Sequence, residues 1–184
     1  MTRPLALAAL ATLALLAGCK EKLAEAPDPV TLTAEATGHF CQMNLLEHPG
    51  PKAQVHLAGL PDPLFFSQVR DAVAYQRMPE QSHAIAAIYV NDMAAAPSWE
   101  NPGTENWIAL EAALYVVGAR TPGGMGAPEL IPFSDHVAAE AWAAEHGGRV
   151  LALGEIPDTE VLAPVEFATD AEGNFLPPAA TLSQ

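Results

Sequence analysis

One pattern occurs twice in this chain, 67 residues apart, and it limits the fold more than any other feature. Phe66-Ser67-Gln68-Val69-Arg70-Asp71-Ala72-Val73-Ala74-Tyr75 aligns without a gap on Phe133-Ser134-Asp135-His136-Val137-Ala138-Ala139-Glu140-Ala141-Trp142. Four positions are identical, and Tyr75 corresponds to Trp142 as an aromatic. In both copies a strand-like apolar run leads into a serine whose hydroxyl suits a helix N-cap. Each copy is too small to bury a sufficient core alone, so the two must pack together.

The surrounding sequence extends the pattern. In the first half, Gly38–Leu46 reads as a strand-like segment, Ala53–Leu57 alternates weakly, and Pro63–Phe66 is a short strand. A helix follows from Ser67 to about Arg77, with an apolar side of Val69, Ala72, Val73 and Gln76, and Pro79 stops it. His83–Val90 is β-branched and apolar enough for a buried strand. The second half offers strands at Trp107–Leu110, Ala113–Val117 and Glu129–Phe133. A helix over Asp135–His146 is capped by Ser134 and ended by Gly147-Gly148, and Arg149–Leu153 is a last strand. The expected fold is α+β, two small homologous ββαβ units packed together, over residues 38–93 and 94–163. Asn91–Thr104 is a turn-rich connector.

The ends read differently from the body. Residues 1–18 carry Arg3, an apolar stretch from Leu5 to Ala17 and small residues before Cys19. That is a secretory h-region, too short to span a bilayer comfortably. Leu16-Ala17-Gly18-Cys19 resembles a lipobox, which makes Cys19 the expected lipidation site and residues 1–18 a lipoprotein signal peptide. Lys20 follows where a retention signal would carry Asp, which favours the outer membrane with the body in the periplasm. Residues 19–37 are expected to form a lipidated N-terminus and flexible tether, and residues 164–184 a flexible acidic tail. The formal charge of −14 argues against binding nucleic acid through its phosphates.

With Cys19 lipidated, Cys41 is the only thiol left in an oxidising compartment. If its segment is extended, Cys41 and Met43 share one face, about 6–7 Å apart along the strand, and His39 shares it too. A thiolate and a thioether are soft donors that favour Cu(I) over hard cations, and a thioether is a poor zinc ligand. Met125 lies among glycines and prolines (Pro122 to Pro128), where a large apolar side chain is not explained by a core run. His48 is close enough to Cys41 to fold back, and His146 ends a helix, where its charge suits the dipole. His56, His83 and His136 read as surface or sheet residues. Alternatives stay open on these residues: a thiol enzyme with Cys41 as nucleophile and His39 or His48 as base, or a non-catalytic envelope lipoprotein acting as a docking module.

These segments resemble the NosL family of copper-binding accessory lipoproteins of nitrous-oxide reductase maturation. The resemblance is carried by the lipobox at Cys19, CQMNLLEHPGPKAQ from Cys41, VRDAVAY from Val69, AAIYVNDM from Ala86, SWE from Ser98, GGMGAPELIPFSD from Gly123 and AAEHGG from Ala143. It implies a Cu(I) chaperone rather than an enzyme, built as two homologous ββαβ units. It implies delivery of copper to apo-nitrous-oxide reductase in the periplasm, assisted by an ABC-transporter-linked maturation complex. The family's Cys and Met map onto Cys41 and Met43, and its Gly-Met-Gly loop onto Met125. A histidine ligand is left between His48 and His146, and the oligomeric state between monomer and copper-bridged dimer.

Overall fold

The structure is a computed structural model that describes residues 26–165 and 169–172. Lipidation at Cys19 and the signal peptide lie outside the described residues, as does most of the expected tail.

Two antiparallel sheets carry the fold. The first contains β1 (Ala53–Leu57), β2 (Leu64–Phe66), β3 (Ile85–Asn91) and β4 (Trp107–Ala109), in the order β2-β1-β3-β4. The second contains β5 (Leu114–Val117), β6 (Leu130–Phe133) and β7 (Arg149–Ala152), in the order β6-β5-β7. Helix α1 (Val69–Arg77) joins β2 to β3, and α2 (His136–His146) joins β6 to β7. A short α3 (Asp158–Val161) follows. In each sheet the first strand of the unit is central, flanked by the strand before the helix and the strand after it. The repeat read from the sequence is therefore a structural one, and α1 and α2 start at equivalent positions. The strand at Trp107–Ala109 pairs with β3 and so extends the first sheet.

The two units share one core. Val69, Ala72 and Val73 of α1 pack with Val55 and Ile88 of the first sheet and with Tyr115, Val117 and Leu130 of the second. Helix α2 covers the second sheet's other face, where Ala139 and Trp142 meet Val116, Ile131 and Phe133. Within α1, Gln76 is exposed and Arg70 is buried instead. The Arg70 guanidinium donates to the Glu160 and Ala163 carbonyls near α3, which satisfies a charge that its spacing would not place inside.

Three local expectations need correction. Gly38–Leu46 is not a strand: it turns tightly at 39–41 and enters a 3-10 turn at Leu45–Glu47. Gln42 takes φ 56°, and its N–H reaches the Gly38 carbonyl at 2.8 Å, which breaks any strand alternation. Neither serine caps its helix. The N-cap of α1 is Gln68, with no side-chain cap bond, while Asp135 caps α2 by accepting from the Ala138 N–H at 2.8 Å. Ser134 instead donates its hydroxyl to Asp92 at 2.6 Å. Finally, residues 26–37 of the expected tether lie against the body. Leu32 and Ala36 are buried beside Leu45, and Gln54 holds both the N–H and the carbonyl of Val30.

Candidate metal centre

Cys41 sits on the turn that precedes β1. Gly38 N–H donates to the Met43 carbonyl at 2.9 Å, and the Gln42 side-chain amide donates to the His39 carbonyl at 2.7 Å, so the turn is closed from both sides. A Cβ on Gly38 would overlap the Cys41 sulfur. Glycine at 38 thus gives the thiol its place. The residues before Cys41 anchor the turn. His39 and Phe40 both pack edge-on against Phe66 of β2, at 5.6 and 5.2 Å between ring centroids, and His39 also meets Tyr75 of α1. His39 is thereby taken into an aromatic cluster and does not share a strand face with Cys41.

The turn leaves sulfur accessible. Cys41 is half-buried and in no disulfide among the described residues, while Met43 and Met125 are 40% and 37% exposed. Phe40 and Leu46 are exposed as well. The soft donors therefore stand at the surface with apolar neighbours, where an incoming partner could reach them.

Met125 arrives from the second unit on the connection between β5 and β6. That connection is twice as long as its counterpart between β1 and β2, so the Gly-Met-Gly loop is an addition to the repeat. The loop closes on itself through the Gly126 N–H to the Gly123 carbonyl and the Gly123 N–H to the Ala127 carbonyl, both 2.8 Å. Its backbone rests on His48 and Pro49: a Cβ on Gly124 would lie 2.6 Å from the Pro49 carbonyl and 3.0 Å from the His48 Cβ. His48 Nε2 is buried and finds no hydrogen-bond partner among the described residues. Of the two histidines, His48 lies against Gly124, the neighbour of Met125, while His146 meets the same connection earlier, at Thr121. His146 stacks on Trp142 at 4.1 Å, shares its Nδ1 with Thr121 Oγ1 at 3.2 Å, and has Nε2 3.9 Å from Glu145.

Beneath these segments lie ionisable groups that the sequence reading did not single out. Lys52 is fully buried, with Nζ donating to the Pro49 and Gly50 carbonyls. Burial lowers its pKa to about 8, while Glu129 and then Cys41 push it back up. Glu129 is also buried. Its Oε1 accepts the N–H groups of Arg70 and Leu130 at 2.9 and 2.8 Å, which makes it the cap of α1 from the other unit. Burial raises its pKa to about 8, against the two backbone donors and Lys52, which lower it. The only sequence signal for either residue is a lone charge bordering an apolar strand. That usually marks an exposed strand end. Among the described residues, no three of His, Cys, Asp and Glu could hold a metal together.

A family model described as NosL matches residues 29–161. The chain belongs to the NosL family. Within it, the chain is 58% identical over 161 residues to the copper-binding lipoprotein NosL of Achromobacter cycloclastes, covering 87% of this chain and 83% of that one. It is 35% identical over 144 residues to the copper-binding lipoprotein NosL of Stutzerimonas stutzeri, covering 77% and 73%. The crystal structure of the copper chaperone NosL from Shewanella denitrificans is similar at a TM-score of 0.67 and 29% identity, over 72% of this chain and 97% of that one. The NosL match spans both sheets, the Cys41 turn and the Met125 loop, so it covers the whole candidate centre.

Proposed function

We propose that this protein is a copper-binding lipoprotein that carries Cu(I) as cargo on Cys41, Met43 and Met125, with His48 as the nitrogen donor. The carrying observation is that the Met125 loop of one unit is seated, through Gly124, on His48 and Pro49 of the other, at the end of the segment that Cys41 begins. The donor chemistry agrees: one thiol and two thioethers suit Cu(I), and none suits a hard cation. The relatives named above as copper-binding lipoproteins and a copper chaperone support the same cargo.

The arrangement suits transfer. Thioethers are weak donors that an incoming ligand displaces, so the ion passes by exchange without being freed. The exposed thioethers are the donors that leave first, and the thiolate holds the ion until a stronger acceptor binds. Binding releases the Cys41 proton, so affinity falls as pH falls. The receiving partner in this proposal is apo-nitrous-oxide reductase, together with its ABC-transporter-linked maturation complex. The place of action is the periplasm, from a lipid anchor at Cys19 in the outer membrane. Copper held by one chain or bridged between two are both compatible with surface sulfurs.

An anaerobic Cu(I) titration against a competing chelator tests the cargo, using the form that starts at Lys20 and contains every described residue. The parent is expected to compete for about one ion per chain or per two chains. Cys41→Ser is expected to lose competitive binding, and Met43→Ala to weaken it less. Equal affinity in Cys41→Ser and the parent would overturn the assignment. Transfer to the apo-reductase, followed by its copper content, tests the partner.

A further inference from the structure

We infer that Glu129 and Lys52 are positioning residues for the metal, holding the Met125 loop in its seat on His48 and Pro49 without themselves acting as ligands. The inference rests on the copper-carrying function proposed above.

Two ionisable side chains buried at the junction of two units need a reason. An apolar pair of similar volume would often be as stable or more so. The contacts supply one. Lys52 Nζ holds the carbonyls of Pro49 and Gly50, which fixes the chain immediately after His48. Glu129 Oε1 is locked between Arg70 at the start of α1 and Leu130 at the start of β6. Its other oxygen, Oε2, is buried with no partner among the described residues, and so is Nε2 of Gln68. Both atoms face Gly123: a Cβ there would lie 2.8 Å from Glu129 Oε2 and would overlap the Gln68 amide. The next residue, Gly124, rests on His48 and Pro49. The glycine pair is thus supported on one side by Glu129 and Gln68, and on the other by the segment that Lys52 holds.

This matters because Met125 stands partly exposed at the surface. Where its sulfur stands is set by where the glycine pair sits. If the seat loosens, the loop spends less time in the metal-competent position, and apparent affinity falls by that fraction.

The test compares Cu(I) affinity by chelator competition in the parent, Glu129→Gln, Met125→Ala and the double variant. The Glu129→Gln change keeps a carbonyl oxygen for the Arg70 and Leu130 N–H groups. The comparison is run at about pH 9, above the Glu129 pKa of about 8, where the oxygen that faces Gly123 is an ionised acceptor, and the variant replaces it with an amide nitrogen, a second donor set against the Gln68 amide. Glu129→Gln is expected to weaken Cu(I) binding about tenfold, as for a loop competent about one-tenth of the time. In the Met125→Ala background it is expected to have no further effect, because its action runs through Met125. Unchanged affinity, or equal weakening in both backgrounds, overturns the inference, since a general loss of structure would act with or without Met125. If Glu129→Gln does not unfold cooperatively, Lys52→Met takes its place: it removes the donor to the Pro49 and Gly50 carbonyls at similar volume, with the same two outcomes. A parent that binds no copper overturns the copper function and this inference together. Binding that is lost in Cys41→Ser but untouched by Glu129→Gln overturns the inference alone.

Discussion

The buried Glu129 gives a stability signature that needs no metal. Its pKa stands at about 8 in the folded protein, against an ordinary 4.5, and burial is the main cause. Between pH 5 and 7 the folded chain keeps a proton on this carboxyl that the unfolded chain has released. The folded state therefore binds more protons, and stability falls as pH rises through this window. One proton is worth at most about 1.4 kcal/mol per pH unit, or roughly 2.7 kcal/mol from pH 5 to pH 7. A glutamine side chain does not titrate, and every other group is common to both proteins, so the difference between parent and Glu129→Gln isolates the effect. Lys52, whose pKa is lowered to about 8, keeps its proton over most of this range. Urea unfolding at pH 5, 6 and 7 and constant ionic strength is the assay. The variant is expected to gain up to about 2.7 kcal/mol relative to the parent on going from pH 5 to pH 7. Parallel stability curves would refute the reasoning, because they would mean that Lys52 and the two backbone donors keep Glu129 ionised despite its burial.

Two further predictions concern residues that the structure reassigned. Asp135→Ala is expected to cost about 1 kcal/mol in thermal or urea unfolding, through loss of its bond to the Ala138 N–H, whereas Asp135→Asn costs much less because asparagine caps as well. His48→Gln is expected to weaken Cu(I) binding by about tenfold, roughly 1.4 kcal/mol. His146→Gln is expected to leave it unchanged, because that ring is committed to Trp142 and Thr121; chelator competition separates the two.

The repeat was legible because strand, helix and strand are local patterns, each recorded in a short run of apolar spacing. β1 begins and ends where its alternation does, and Gly147 and Gly148 stop α2 with φ of 80° and 97°. The Cys41 turn was not legible in the same way. A glycine, a cysteine and a methionine near one another satisfy a strand reading. What defeats it is Gln42 in the left-handed region, held by its side-chain bonds to Gly38 and His39. The serine caps failed for a related reason. Ser134 had a better partner in Asp92, 42 residues earlier in the chain, and no local rule includes that competitor.

Residue chemistry alone narrows the candidate donors. Which atoms can hold a soft ion follows from side-chain identity: Cys41, Met43 and Met125 stand out without coordinates, and the histidine is left between His48 and His146. Which donors meet is a matter of packing. Cys41 and Met125 lie 84 residues apart and on different repeat units, so the Met125 loop reaches His48 only because one unit folds against the other. The same packing sends Lys52 and Glu129 inside. Burial of a charge depends on what the rest of the chain places around it, and spacing along one strand carries no record of that.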